Sequence, residues 1–115
     1  MAVLRGEIYF VDLDPVRGRE QAGRRPVLVI SANAVNRLPL VVTVVVGTKG
    51  DNIKHDYPTN VRLSPADTGL PMETIFLCFQ LRSLDPGRFV GPAAGMVPGP
   101  VMERIDGAVR RCLGL

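Results

Sequence analysis

Short runs of apolar residues, each about the length of one β-strand, alternate with turns along most of this chain. Residues 6–13 and 26–30 form the first two runs, and residues 40–46, LVVTVVV, form the third. Branched side chains such as valine favour strands because they fit a pleated surface, and so short a run is not typical of a helix. Two further strands are predicted at residues 60–63, where apolar and polar positions alternate, and at residues 74–79.

The C-terminal residues change to a helical period. A helix that begins at Pro100 and ends at Gly114 would place on one face Val101, Met102, Ile105, Val109, Cys112 and Leu113. This face is most simply core, although part of it could form a partner surface. Strands followed by one terminal helix predict a mainly β domain with some α structure, a compact and partly open β-barrel with the helix packed across it.

Length and composition support a single domain over residues 1–115. A chain of 115 residues can bury one core without metal or disulfide help, and with 46% hydrophobic but only 5% aromatic residues that core must be aliphatic. The net charge of +3 permits an anionic partner without requiring one. Twelve of the 14 basic residues are arginine, which suits planar recognition of phosphate, although an arginine-rich genome gives the same bias.

Several kinds of site are disfavoured by the residues present. Cys78, Cys112 and the single histidine, His55, do not make a recognisable metal site, which needs about four ligands. A Cys-His nucleophile pair is also disfavoured, because neither cysteine has an electropositive setting. With no nucleotide-binding glycine motif, signal peptide or membrane-length apolar run, we expect a reduced cytoplasmic protein that uses no cofactor and contacts no membrane.

The segment between the first two strands is the most informative for function. Residues 14–26 read DPVRGREQAGRRP and contain Arg17, Arg19, Glu20, Gln21, Arg24 and Arg25. Guanidinium groups match phosphate oxygens in charge and geometry, and glycines let a backbone approach a polyanion closely. The loop is therefore predicted to face phosphate groups.

The same segment resembles a known family. Residues 5–31, RGEIYFVDLDPVRGREQAGRRPVLVIS, are similar to the N-terminal signature of the MazF/PemK toxin endoribonucleases, in which a D-L-D-P strand end precedes G-x-E-Q-x-G-x-R-P and an apolar strand. The strand ending at Thr48, the YPTNVRL segment from Tyr57 and residues 79–85 match later family segments in the same order. The resemblance thus covers essentially the whole chain.

The resemblance implies an SH3-like small β-barrel of the CcdB/MazF type, a homodimer that cleaves single-stranded RNA at preferred sequences without a metal ion. In this family the 2′-hydroxyl of the RNA substrate attacks the adjacent phosphate of the same strand, leaving a 2′,3′-cyclic phosphate and a 5′-hydroxyl. Because the attack is intramolecular, the protein needs no nucleophile of its own. A cognate antitoxin with an acidic tail that folds on binding would hold such a toxin inactive.

The family's essential residues fall on two positions of this chain. Its arginine falls on Arg25, which would neutralise the scissile phosphate, and its threonine on Thr48, which would hydrogen-bond a phosphate oxygen or the attacking hydroxyl. Glu20 is expected as a third catalytic residue, a proton acceptor, because arginine is too basic for that role near neutral pH. The equal alternative is that Glu20 only pairs with Arg24 or Arg19 and shapes the loop.

Other candidates are expected to bind RNA, namely Arg17, Arg19, Gln21, Arg24, Lys49 and Gln80. Gln80 could instead orient the loop or be a structural amide. Lys49 stands where many relatives have a small hydroxyl residue, and its charge could strengthen binding, protonate the leaving oxygen or shift the sequence that is cut.

Two other functions remain open on the same fold. One is a non-enzymatic gyrase inhibitor of the CcdB type, and the other is an RNA-binding module that has lost its chemistry. The pairing of Arg25 with Thr48 favours the nuclease over the gyrase inhibitor.

Overall fold

A six-stranded antiparallel sheet, curled into a half-barrel, forms most of the molecule. The computed structural model describes residues 2–38 and 40–115. The strands are β1 (Glu7–Asp12), β2 (Arg24–Val29), β3 (Val42–Lys49), β4 (Asn60–Leu63), β5 (Thr74–Leu84) and β6 (Gly95–Met96). Their order across the sheet is β4-β5-β3-β2-β1-β6. The mainly β architecture predicted from the pattern is confirmed.

Three α-helices, α1 (Asn33–Asn36), α2 (Pro65–Thr68) and α3 (Gly99–Leu113), and two 3₁₀ turns, Gly50–Asn52 and Pro86–Arg88, complete the described structure. The terminal helix α3 buries Met102, Ile105 and Ala108 against the sheet, with Cys112 partly buried. Leu113 was expected on this face but is 54% exposed, because the buried face ends at Cys112 in the last turn. None of the helices in the described ranges has both the length and the apolar character needed to cross a membrane.

The core lies on both faces of the sheet. Successive residues of a strand point to opposite faces, so Leu28 packs with Ile105 of α3 in one cluster, while Val27 and Val29 belong to a second cluster on the other face. Burial on both faces explains why residues 42–46 of β3, VTVVV, are apolar at all but one position instead of alternating.

The half-barrel remains open between its edge strands, β4 and β6. The short helix α2 follows β4 and packs close to β6. A Cβ atom built on Gly95 of β6 would lie only 2.2 Å from the carbonyl oxygen of Thr68 in α2. Since real Cβ contacts are longer than this, only glycine allows the close approach of β6 to α2. The opening between the edge strands confirms the predicted partly open barrel.

Strand boundaries differ from the predicted ones where pairing extends a strand beyond its apolar run. β2 begins at Arg24, so Arg24 and Arg25 belong to the strand and not to the loop before it. β3 runs on through Thr48 to Lys49, and β5 runs on to Leu84. The register between β3 and β5 shifts after Val45, so residues 78–80 of β5 have no paired residue on β3.

Candidate active site

A pocket of about 130 Å³ opens where β2, β3 and β5 come together. It is lined by Phe10, Arg24, Arg25, Pro26, Thr48, Lys49, Leu70, Pro71, Met72 and Thr74. Four residues predicted for the site therefore share one pocket, although they come from separate parts of the sequence. The rest of the wall is largely apolar, so charges at its mouth interact in a partly dehydrated setting.

Arg25 and Thr48 lie on adjacent strands and on the same face of the sheet. Val27 of β2 pairs with Val46 of β3 in an antiparallel register. Continuing that register by two residues places Arg25 opposite Thr48. Directly opposed residues on neighbouring strands have their side chains on one face. Each of the two predicted catalytic residues is also fixed by pairing with its other neighbour, Arg25 with Val11 of β1 and Thr48 with Ile75 of β5.

Arg25 and Thr48 each already make one side-chain hydrogen bond. Arg25 Nε donates to the carbonyl oxygen of Ala22 over 2.9 Å, which fixes the guanidinium at the end of the loop. No ion pair within the described residues uses Arg25, so the other N–H groups can bind an anion. Thr48 is 2% exposed, and its Oγ1 accepts a hydrogen bond of 2.9 Å from Nδ2 of Asn52.

Glu20 lies in the loop, is exposed, and does not line the pocket. Its Oε1 accepts a hydrogen bond from the backbone N–H of Arg17, whose carbonyl oxygen accepts from the Glu20 N–H at 3.1 Å. The ion pair with Arg24 or Arg19, which was the alternative to a catalytic role, is not formed, because the carboxylate closes this local turn instead. The structure thus supports a loop-shaping role, and the catalytic role of Glu20 stays a prediction.

The remaining loop candidates do not line the pocket. Arg17 and Arg19 are exposed and Gln21 is half-buried. Gln80, in the unpaired part of β5, donates from Nε2 to the carbonyl oxygen of Arg19 over 3.1 Å. Of the alternatives for Gln80, loop orientation is the one with a contact in the structure, and its contact with RNA stays a prediction.

The pocket also contains residues that sequence reasoning missed. Phe10 of β1 and residues 70–72, which connect α2 to β5, form its apolar wall. Asn52, outside the lining, hydrogen-bonds Thr48. The polar loop after Lys49 was the available signal for Asn52. No local pattern distinguishes residues 70–72 from an ordinary turn, because their role depends on how the chain returns to the sheet.

Both thiols are set up for packing. Cys78 is fully buried, and burial raises the pKa of its thiol to about 12. Burial also raises the pKa of the half-buried Cys112 thiol. A thiol nucleophile needs a lowered pKa, so the structure agrees with the expectation that neither cysteine forms a Cys-His nucleophile pair. His55 is exposed, with its ring edge-on to Tyr57 at a centroid distance of 6.5 Å.

The sequence that forms this fold and pocket matches one protein family over nearly its whole length. Residues 4–113 match the sequence model described as PemK-like, MazF-like toxin of type II toxin-antitoxin system. The chain belongs to this family. Its fold accordingly agrees with that of MazF structures: an endoribonuclease from Mycobacterial species, solved in complex with its cognate antitoxin, superposes with a TM-score of 0.80 at 30% identity, over 99% of this chain and 97% of that one.

Curated members of the MazF/PemK family support the same conclusion. Endoribonuclease MazF9 of Mycobacterium tuberculosis (strain ATCC 25618 / H37Rv) is 37% identical over 116 aligned positions, which cover 96% of each chain. Endoribonuclease EndoA of Bacillus subtilis (strain 168) is 33% identical over 116 positions, covering 100% of this chain and 97% of the relative. The family and the enzyme class expected from the sequence are thereby confirmed.

Proposed function

We propose that this chain cleaves single-stranded RNA at short preferred sequences by internal transesterification, without a metal ion. The 2′-oxygen bonds to the adjacent phosphorus while the bond from phosphorus to the 5′-oxygen breaks. A proton leaves the 2′-hydroxyl and another reaches the 5′-oxygen, giving a 2′,3′-cyclic phosphate and a 5′-hydroxyl. The proposal is carried by one observation, the position of Arg25 opposite Thr48 at the wall of a single pocket.

In this proposal Arg25 and Thr48 stabilise the charge that develops on the phosphate. The uncommitted N–H groups of Arg25 bind the non-bridging oxygens, which carry more negative charge in the transition state than in the substrate. The Thr48 hydroxyl donates a further hydrogen bond. Donors held in place before the reaction are effective because the protein does not reorganise around the new charge. The pairing of Arg25 with β1 and of Thr48 with β5 supplies that rigidity.

Two proton-transfer roles complete the proposed reaction. Lys49 lines the pocket beside Thr48, and its ammonium group can protonate the departing 5′-oxygen. Glu20 can accept the proton of the 2′-hydroxyl only if its carboxylate leaves the Arg17 amide and the loop moves toward the pocket. The Glu20 role therefore requires a loop closure on RNA.

The wider proposal concerns partners. Exposed Arg17 and Arg19, with Gln21, Arg24 and Gln80, bind the RNA on either side of the scissile phosphate. A cognate antitoxin neutralises the toxin, as the antitoxin complex of the mycobacterial relative suggests. The active form is a homodimer, and the protein acts in the cytoplasm, where its two cysteines stay reduced.

The decisive experiment incubates purified protein with mixed-sequence single-stranded RNA in EDTA and identifies the chemistry of the new ends. We expect cyclic phosphate and 5′-hydroxyl ends, with the rate reduced about a hundredfold or more in Arg25→Ala and in Thr48→Val. Arg104→Ala, on the exposed face of α3, and Thr43→Val, at the other end of β3, are matched controls that retain activity. Intact RNA together with inhibition of gyrase would instead establish the non-enzymatic alternative.

A further inference from the structure

Thr48 and Asn52 share a hydrogen bond whose direction matters for the reaction. The Asn52 amide nitrogen donates to Thr48 Oγ1 over 2.9 Å. A hydroxyl group has one proton and two lone pairs. Because the amide occupies a lone pair, the Thr48 proton remains available to another acceptor, and the pocket that Thr48 lines is the open space beside it. Asn52 does not line that pocket, and its bond to Thr48 links it to the pocket.

Asn52 lies in a 3₁₀ turn, and the guanidinium group of Arg62 hydrogen-bonds the backbone at both ends of this turn. The turn, Gly50–Asn52, follows β3 directly. Arg62 of β4 donates from Nη1 to the carbonyl oxygen of Gly50 over 3.1 Å and from Nη2 to that of Ile53 over 2.9 Å. Five N–H groups in a planar fork make such multiple contacts possible for arginine. The ends of the turn are thereby tied to the neighbouring strand.

Arg62 is itself held by two carboxylates. Its Nη1 lies 2.7 Å from Glu73, just before β5, and its Nη2 lies 3.0 Å from Asp56. The Gly50 N–H adds a hydrogen bond of 3.0 Å to the Glu73 carbonyl oxygen. The turn is thus fixed to the sheet before any RNA arrives, and Asn52 can orient Thr48 in the free enzyme.

We propose that Asn52 is a positioning residue that makes Thr48 a hydrogen-bond donor to a non-bridging oxygen of the scissile phosphate. The inference rests on the proposed function, because it requires Thr48 to contact that phosphate. A donor stabilises the oxygen charge that builds up in the transition state, whereas a hydroxyl turned to accept cannot. The Asn52 N–H also polarises the hydroxyl, which strengthens the bond that Thr48 donates.

Two substitutions of Asn52 separate the direction of the bond from its mere presence. Asn52→Ala removes the donor without adding charge, and we expect kcat to fall about fivefold, the worth of one neutral hydrogen bond, with KM unchanged. Asn52→Asp keeps the shape but presents a carboxylate that only accepts, so the Thr48 proton turns toward it. We expect kcat of Asn52→Asp to fall more than that of Asn52→Ala near neutral pH. The kcat of Asn52→Asp should recover relative to that of the wild type as the pH falls, because the introduced carboxyl group then carries a proton that it can donate.

A modified substrate gives a readout that a purely structural role would not move. In an RNA with sulfur in place of one non-bridging oxygen, the sulfur is a weaker acceptor. The wild type should cleave one diastereomer more slowly than the other, and both Asn52 variants should discriminate between them less. Asp51→Asn, which changes the adjacent exposed side chain of the turn, is the control that keeps wild-type discrimination.

The outcomes separate this inference from the proposed function. If Thr48→Val and Arg25→Ala cleave RNA at the wild-type rate, the proposed site itself is wrong. If those two variants are impaired but Asn52→Ala retains wild-type kcat and wild-type diastereomer discrimination, only the role of Asn52 is wrong. A rise in KM at constant kcat for Asn52→Asp would likewise overturn it, because that result is expected from charge repulsion of the RNA and not from a redirected Thr48 proton.

Discussion

The side-chain amide of Gln80 holds the backbone carbonyl oxygen of Arg19 at 3.1 Å, across 61 positions of sequence. The contact is possible because residues 78–80 lie in the register shift of β5 and are not paired with β3. It joins the arginine-rich loop to the central part of the sheet. The loop therefore begins and ends at β1 and β2 but is also anchored near its middle.

The first prediction concerns that anchor. Gln80→Leu removes the donor, so the loop should move more freely, and trypsin should cut after Arg17 or Arg19 faster than in the wild type. The KM for RNA should rise more than kcat falls, because the loop must be ordered on binding. Ser83→Ala, an exposed position of the same strand, is the control. Unchanged proteolysis in Gln80→Leu would show that the anchor does not order the loop.

A second prediction tests whether the loop arginines contact RNA phosphates. Each phosphate contact releases counterions, so the logarithm of the binding constant should fall linearly with the logarithm of salt concentration. Arg17→Gln and Arg19→Gln should each reduce the slope by about 0.7, the value for one contact to a single strand. Arg104→Gln on α3 should leave the slope unchanged. A slope that is insensitive to both loop substitutions would remove these arginines from the RNA surface.

A third prediction concerns Arg62. Its interaction with Glu73, and secondarily with Asp56, raises the pKa of the guanidinium, so it stays charged wherever the protein is folded. Arg62→Lys keeps the charge but cannot reach both carbonyl groups and both carboxylates with one planar fork. Amide hydrogen exchange should accelerate in residues 50–56, and kcat should fall. Arg88→Lys, which affects an exposed arginine bonded to the Asp12 carbonyl oxygen, should do neither.

A fourth prediction compares two glycines in opposite situations. Gly95→Ala places a methyl group against the Thr68 carbonyl oxygen, and we expect it to lower the free energy of unfolding by about 1–3 kcal/mol. Gly107 lies on the exposed face of α3 with nothing within 4 Å of an added Cβ. Gly107→Ala should raise stability by about 0.5–1 kcal/mol, because alanine is the better helix former. Denaturant titration measures both, and equal effects of the two changes would contradict the packing at β6.

The fifth prediction is a loss of stability in alkali. Burial raises the pKa of Cys78 from 9.0 to about 12, and burial with a hydrogen bond to Glu7 raises that of Tyr9 from 10.0 to about 12. Both groups are therefore protonated in the folded protein where the unfolded chain is already ionised. The stabilisation is complete below pH 9 and is lost as the pH rises toward 12. Cys78→Ala should flatten this decline in denaturant titrations across that range, and an unchanged slope would contradict the thiol's contribution.

Much of the site could be predicted from residues whose chemical role is recognisable from the sequence motif alone. Arg25 and Thr48 were identified by motif, and the structure places both at one pocket. Glu20 was predicted as a carboxylate of the same loop that could accept a proton, yet its carboxylate binds a backbone amide in the loop. The difference is that strand residues inherit their positions from backbone pairing, whereas a loop carboxylate takes whichever donor lies nearest.

The sequence by itself determined the class of fold, five of the six strands, the terminal helix and the family, because each of these depends on local periodicity or on motifs in order. Only the tertiary structure decided which residues meet. The opposition of Arg25 to Thr48, the closure of the pocket by residues 70–72, the reach of Gln80 to the loop and the support of Thr48 by Asn52 all depend on strand register and on one register shift. Register is set by cooperative pairing across the sheet, so no short stretch of the chain encodes it alone.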